Sequence, residues 1–167
     1  PDVMRRAFSQ LRNGRGGPVL IEVPGDVFRE EVADDFVYVP STKSRTAPDP
    51  ADVQRAAEVL AGAENPVIYA GQGVHFGKAW EELKSLAETW NIPVTTSLEG
   101  KSAFPEDHPL SLGSGGRSLP RAVHEFLQDA DVIFGIGCSF ALTGFGVQMP
   151  KGKTIIHATL DPMDLNK

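Results

Sequence analysis

Small and polar residues stand at the ends of four apolar runs: Val67-Ile-Tyr-Ala-Gly-Gln-Gly73, Pro93-Val-Thr-Thr-Ser97, Val132-Ile-Phe-Gly-Ile-Gly-Cys-Ser139 and Thr154-Ile-Ile-His-Ala-Thr-Leu-Asp161. Glycine at such a junction lets main-chain amides approach a phosphate, and a carboxylate there can accept hydrogen bonds from ribose hydroxyls. If the four runs are parallel neighbours, their ends gather on one edge of one sheet, where open α/β folds bind ligands. The expected cofactor-binding set on that edge is Gly71, Gln72, Gly73, Ser97, Gly115, Arg117, Gly137, Ser139 and Asp161.

Each member also has a plainer structural reading. Gly71-Gln-Gly73 lies between a strand and a helix, but a dinucleotide fingerprint would need glycine or alanine where Phe76 stands, with Gly77 one position late. A tight turn that needs glycine geometry would read the same way. Gly113-Ser-Gly-Gly-Arg117 combines small residues with a guanidinium able to clamp a phosphate or stack on a flat ring, or it is a mobile surface loop. Ser139 adds a hydroxyl after the third run, and Asp161 reads most simply as a helix N-cap.

Catalytic chemistry has little to stand on. Cys138 follows an apolar run and reads as a small buried hydrophobe rather than a nucleophile. His75, His108, His124 and His157 show no metal-ligand spacing, and neither a Ser-His-Asp signature nor a zinc pattern occurs. No catalytic and no metal-ligating residue is expected in this segment.

The elements that must position the edge follow from periodicity. Met4, Ala7, Phe8 and Leu11 predict an amphipathic helix ended near Gly14, followed by a strand from Pro18 to Pro24. From Gly25 to Pro48 the pattern is lost, which predicts a linker and a boundary: residues 1–27 form one piece, 28–48 the linker and 49–167 a second domain. That domain opens with Asp49 as N-cap and Pro50 at the first helical position, and Val53, Ala56, Ala57 and Leu60 form its first apolar stripe. A second helix should bury Trp80, Leu83, Ala87 and Trp90, and a third should bury Val123, Phe126, Leu127 and Ala130. The stretch Leu98–Pro105 reads as loop, with a short strand near Leu110. Apolar strands alternating with helices argue for a parallel sheet covered on both faces, an α/β doubly wound fold. The final Asp161-Pro-Met-Asp164 repeats the helix start at Asp49 and stops after about one turn, so the chain reads as a piece of a longer protein.

A chain of 167 residues can bury one proper core. Its net charge of −6, with basic residues spread out, argues against nucleic acid or anionic lipid as partner and favours small molecules or proteins. One cysteine excludes an internal disulfide framework and fits a cytoplasmic location, and no run approaches the ~20 apolar residues needed to cross a bilayer.

With these residues in view, the chain resembles the thiamine-diphosphate-dependent enzymes of the acetolactate synthase, oxalyl-CoA decarboxylase and benzoylformate decarboxylase type. The resemblance rests on Gly16-Gly-Pro-Val-Leu-Ile-Glu-Val-Pro-Gly-Asp26, Asn65-Pro-Val-Ile-Tyr-Ala-Gly-Gln-Gly73, Ile92-Pro-Val-Thr-Thr-Ser97, Gly100-Lys-Ser-Ala-Phe-Pro-Glu-Asp-His-Pro109 and Asp131-Val-Ile-Phe-Gly-Ile-Gly137, in the family's order and at its spacing. It implies that residues 1–27 end a pyrimidine-binding domain and that 49–167 form the middle domain, a Rossmann-like sheet of five to six strands of the type that holds NAD or FAD in DHS-like domains. A sixth strand would follow Lys167, so the sheet edge left open would favour self-association. In the parent enzyme, a decarboxylase or carboligase of 2-keto acids or acyl-CoA compounds, thiamine diphosphate and magnesium would be held by the pyrimidine- and pyrophosphate-binding domains. The parent would be a homodimer or homotetramer. Family members carry FAD, ADP or coenzyme A in the middle domain, or nothing. Those with FAD have an arginine-rich stretch where this chain has Cys138-Ser-Phe-Ala-Leu-Thr-Gly-Phe-Gly146. The only Gly-Asp pair, Gly25-Asp26, continues with Val27 rather than the glycine of the family's metal-anchoring motif. A different class, a self-standing NAD- or FAD-binding module like a sirtuin or electron-transfer flavoprotein domain, shares the same sheet.

Overall fold

The computed structural model describes residues 2–35, 37–40 and 42–166. The chain divides into two compact units, Pro1–Ala47 and Pro48–Lys167.

The first unit is built on α1 (Asp2–Arg12), whose apolar positions bury only Ala7. Asn13 ties residues of the expected linker to this helix, because its Oδ1 accepts from the Ser44 amide at 2.7 Å and the Ser44 hydroxyl at 2.9 Å. Tyr38 adds a tilted ring contact with Phe8 at 6.5 Å, and the Arg12 guanidinium lies 5.5 Å over the Phe8 ring. The strand expected at Pro18–Pro24 does not form: the segment is extended but has no ladder, and Leu20 is 94% exposed. A strand is defined by a partner, and the described residues of this unit provide none.

The second unit is the expected α/β sheet. Asp49 caps α2 (Pro50–Ala61) by accepting from the Ala51 amide at 2.8 Å, with Pro50 at the first helical position. After the Gly62 cap come β1 (Pro66–Ala70), a five-residue helix α3 (Gly73–Gly77) and α4 (Trp80–Trp90). Then follow β2 (Val94–Thr96), β3 (Ser111–Ser114), α5 (Arg121–Asp129), β4 (Val132–Ile136) and β5 (Thr154–Ala158). The strands form one sheet in the order β3-β2-β1-β4-β5, every pair parallel.

The hydrophobic pattern explains both layers. Successive side chains of β1 point to opposite faces: Ile68 and Ala70 join Leu60, Leu83, Ala87, Ile92 and Phe104 in one core, while Val67 and Tyr69 join Val123, Leu127 and Ile133 in the other. The helices are buried along narrower stripes than their spacing predicts. In α4 only Leu83 and Ala87 are buried, and the indoles of Trp80 and Trp90 at its two ends are 40% and 38% exposed. Phe126 and Val53 likewise stand at the margins of their stripes and remain exposed. β5 has one strand neighbour, β4, and its residues are exposed or half-buried, so it reads as a sheet edge.

The end of the sheet opposite the candidate site is clamped by Asp131. Its carboxylate accepts from the Glu64 amide at 2.7 Å and the Asn65 amide at 3.0 Å, joining the turn before β1 to the turn before β4. The Glu64 bond first, then the other amides, hold this carboxyl below its ordinary value of 3.8. Charge-assisted bonds stabilise by roughly 1.5–3 kcal/mol, and solvent screening at this exposed site discounts that to about 1 kcal/mol for Asp131→Asn. Because the folded-state value is depressed, the contribution is complete above the ordinary value and is lost as pH falls through the lowered one. Urea titrations should therefore show the wild type ahead of Asp131→Asn at neutral pH, with the gap closing below about pH 4. A gap that stays constant into strong acid would exclude the carboxylate as its source.

Candidate functional site

The order β3-β2-β1-β4-β5 reverses direction between β1 and β4, and the turns after these two strands flank the switch point at the carboxyl edge. The chain that leaves β1 runs through Gly71, Gln72 and Gly73, and the chain that leaves β4 runs through Gly137, Cys138 and Ser139.

These two turns touch through their main chains. A Cβ added to Gly137 would lie 2.8 Å from both Gly73 Cα and the Val74 amide nitrogen, and one added to Gly73 would lie 2.6 Å from Gly137 Cα. A Cβ on Gly71 would meet the Gly137 carbonyl oxygen and stand 2.5 Å from Cys138 Cα. Gly100, in the loop after β2, packs just as closely on the β1 side, where a Cβ would be 2.6 Å from the Ala70 carbonyl oxygen. Glycine is required here so that backbone can lie on backbone.

The amides of the same turns are already bonded. Gly71 donates to Ile136 O at 2.9 Å, Gly73 to Gly137 O at 2.8 Å, Ser97 to Ala70 O at 2.9 Å, Gly115 to Thr96 O at 2.8 Å and Gly137 to Ala158 O at 2.8 Å. Within the short α3, Val74 donates to Gly71 O and His75 to Gln72 O. The ladders thus continue past the strands, and these N–H groups are spent before any phosphate arrives. At the β1 turn the amides of Gly73, Val74 and His75, which a helix N-terminus would otherwise offer to an anion, are engaged within the fold.

Side chains tell the same story for the hydroxyls. Ser97 Oγ accepts from the Gly100 amide at 3.0 Å, and Ser139 Oγ accepts from the Ala141 amide at 3.2 Å. Asp161 Oδ1 accepts from the Met163 amide at 2.9 Å and caps the 3-10 turn Pro162–Asp164. Gln72 and Arg117 are exposed, and among the described residues Arg117 has no ion-pair partner. The structure therefore brings Gly71, Gly73 and Gly137 together and sets Ser97 and Ser139 to either side. Arg117 follows β3 at one edge of the sheet and Asp161 follows β5 at the other. At about 4.8 Å per strand the two edges are roughly 19 Å apart, too far for both to grip one phosphate.

Sequence reasoning missed an aromatic ladder under the β4 turn. Phe140, in the left-handed region with φ 49°, stacks on Tyr69 at 5.8 Å and 19° and meets His157 edge-on at 4.8 Å. Gly135 makes this possible, since any Cβ there would run into the Phe140 ring. His157 Nε2 donates to the Cys138 carbonyl oxygen at 2.8 Å, pinning the turn to β5. Burial pushes the Cys138 thiol up to about 12 and, with Cys138 and Glu99 adding smaller effects, pushes the Tyr69 phenol up as well. Both are neutral at physiological pH, so Cys138 is the inert small residue its position suggests. The signal for the ladder was present in the spacing of Tyr69, Gly135, Phe140 and His157 but needs the β1-β4-β5 register to become visible.

Among the described residues no group of three or more His, Cys, Asp or Glu side chains could hold a metal ion, and no helix is long and apolar enough to cross a membrane. Gly25-Asp26 lies in the first unit beside a 3-10 turn over Val27–Arg29, and the Asp26 side chain makes no cap bond there. The residues present do not fit the diphosphate and metal of thiamine diphosphate.

The family model described as "Thiamine pyrophosphate enzyme, central domain" matches residues 53–167. The chain is 39% identical over 175 residues to a protein named as a probable acetolactate synthase large subunit in Methanocaldococcus jannaschii, covering 100% of this chain and 30% of that protein. It is 35% identical over 171 residues to the glyoxylate carboligase of Escherichia coli O157:H7, covering 100% of this chain and 29% of the relative. Among solved structures, the benzoylformate decarboxylase of Polynucleobacter necessarius superposes with a TM-score of 0.79 at 26% identity, over 99% of this chain and 32% of that one. The chain thus spans about a third or less of the length of these proteins. Residues 53–167 match that family model over more than half of the chain, and the chain belongs to the thiamine pyrophosphate enzyme family, with these residues as its central domain.

Proposed function

We propose that this domain is the structural middle of a thiamine-diphosphate-dependent carboligase or decarboxylase of 2-keto acids, and that its own role is scaffolding rather than catalysis. The observation that supports this reading is the packing at the switch point, where glycine backbones lie against one another and the Gly71, Gly73 and Gly137 amides are bonded within the fold. Thiamine diphosphate and magnesium belong, on this reading, to the pyrimidine- and pyrophosphate-binding domains of the parent, with residues 1–27 contributed to the former. The test is the full-length gene product supplied with thiamine diphosphate, magnesium and pyruvate or glyoxylate. Cofactor-dependent release of carbon dioxide with formation of a hydroxyketo acid is the expected result, and no turnover of any 2-keto acid would sink the proposal.

A second reading gives the edge a nucleotide, and the exposed, unpaired Arg117 beside Gly115 favours it. FAD, ADP and coenzyme A share an adenosine diphosphate group, which side chains such as Arg117 and Gln72 would hold here in place of the spent amides. Ligand at a hundredfold excess over its Kd stabilises a native state by about 2.7 kcal/mol, or a rise in Tm of roughly 5 °C or more for a domain of this size. One of the three should produce that rise, and Arg117→Ala should reduce it. No shift with all three removes the nucleotide and leaves the scaffold standing.

A further inference from the structure

At the end of the sheet opposite the candidate edge, a groove of about 520 Å³ lies between the last turns of α2 and α4. Its floor is apolar and buried, with Leu60 7% and Ile92 0% exposed, and the Trp90 indole stands beside it at 38%. Glu64 lines the same groove, and none of the lining residues is basic. Asp131, whose carboxylate bonds the Glu64 and Asn65 amides, adds a second negative group to the same turn.

The two helix ends leave the groove short of positive charge. Peptide dipoles sum to a partial negative charge at a helix C-terminus, which a basic residue in the last turn ordinarily offsets, and neither α2 nor α4 has one. Three lining residues also have carbonyls whose partner in a continuing helix is lost. For Ala61 that partner is the Asn65 amide, which donates to Asp131 at 3.0 Å. For Trp90 it is the Val94 amide, which donates to Leu110 O at 2.8 Å. For Thr89 it is Pro93, which has no N–H. Among the described residues the Glu64 carboxylate has no ion-pair partner.

An anion would be repelled here, and a purely apolar ligand would leave the acceptors unmet. A guanidinium satisfies all three features: its flat face lies on an indole, its N–H fork matches a carboxylate and carbonyls, and its methylene stem covers an apolar floor. Ala61, Thr89 and Asn91 on the rim are exposed, so a free small cation would stay largely in water. A side chain delivered by a neighbouring backbone arrives with less freedom to lose. We propose that this groove docks an arginine side chain of a partner polypeptide, with the guanidinium on the Trp90 indole and turned to Glu64, and the stem over Leu60 and Ile92.

The test uses the 167-residue chain and acetyl-Gly-Arg-Gly-amide as the probe. Two controls accompany it: the citrulline peptide, which keeps the shape without the charge, and methylguanidinium, which keeps the charge without the chain. Proton–nitrogen NMR reads the Trp90 indole and the Glu64, Asn65 and Ile92 amides, with Trp80→Phe identifying the indole signal. The arginine peptide should shift these signals saturably and leave those of Gly71 and Gly137, at the other end of the sheet, in place. Glu64→Gln and Trp90→Leu should each raise its Kd roughly two- to fivefold, as expected of one exposed ion pair and one exposed cation–π contact. Glu64→Gln changes an exposed side chain and keeps the main-chain bond to Asp131, so it tests the groove in a folded domain whatever Trp90→Leu does. Both controls should bind several-fold more weakly. No saturable shift, a citrulline peptide that binds equally well, or a Kd unmoved by Glu64→Gln would overturn the site. Methylguanidinium binding as tightly as the peptide would overturn delivery by a partner chain.

Discussion

Gly137→Ala is expected to cost the second unit roughly 3–5 kcal/mol, a large share of the 5–15 kcal/mol that holds a domain folded. Two effects add at this residue. Its φ of 63° lies in the left-handed region, which costs a residue with a Cβ about 1–3 kcal/mol. The new methyl would also lie 2.8 Å from backbone atoms of Gly73 and Val74, and overpacking of that kind adds about 1–3 kcal/mol because neither main chain is free to retreat. Two neighbours separate the terms. Gly152, at φ 77° with nothing within 4 Å of a Cβ, feels only the conformational cost. Gly71 has no positive φ but faces the Gly137 and Cys138 backbone, so it feels only the steric one. Urea midpoints should rank Gly137→Ala below both single-effect variants, and a Gly137→Ala loss equal to that of Gly152→Ala would refute close packing as the reason for glycine at the switch point.

The same glycines show where sequence reading ends. A glycine that cradles phosphate and one that receives another backbone stand in the same strand–glycine–helix context, because both need the absence of a Cβ. What decides between them at Gly71 is Gly137, 66 positions later, and the sheet order that brings the two together. Asp161 was easier, since Asp-Pro at a helix start carries its own local meaning and the cap bond to Met163 follows from it. Arg117 and Asp161 looked like members of one site because both follow strand signals. Their separation rests on β3 and β5 taking opposite edges, which no local pattern encodes.

Strands β1 and β4 were legible for a physical reason. Both are central, so neither face can be polar, and continuous apolar runs such as Val67-Ile-Tyr-Ala70 leave no other assignment. The Pro18–Pro24 segment has equally good strand residues and forms none, because propensity describes how a residue fits a sheet and supplies no neighbouring strand. Tryptophan misled in the opposite direction. Trp80 and Trp90 fall on the apolar stripe of α4 by count, yet they lie in its first and last turns and remain exposed. Trp80 instead spends its N–H on His75.

Phe104→Ala should destabilise the second unit by about 3–5 kcal/mol, the range for emptying a phenylalanine site in a packed core. Nothing in Leu98-Glu-Gly-Lys-Ser-Ala-Phe-Pro105 is periodic, so the stretch reads as a loop, and in the structure Phe104 is 1% exposed and belongs to the core cluster with Ile68, Leu83, Ile92 and Val94. The loop reaches that core as a plug with fastenings on both sides. Ahead of the ring, Gly100 rests on the β1 backbone and Ser97 Oγ holds the Gly100 amide. Behind it, His108 meets Phe104 edge-on at 4.9 Å, accepts from the Leu110 amide through Nδ1 and reaches Glu88 of α4 through Nε2 at 3.1 Å. Those polar contacts only orient the loop; the apolar burial of one ring supplies the energy that keeps it seated. Phe104→Leu, which refills most of the volume, should recover more than half of the loss. The measurement is the urea midpoint of each variant together with proteolysis after Lys101: if alanine costs less than about 1 kcal/mol and leaves Lys101 as protected as before, the ring does not anchor the loop. If it costs the full amount, the motif Gly100–Pro109, one of those that carry the family resemblance, has a structural role: it closes the core beneath the candidate edge.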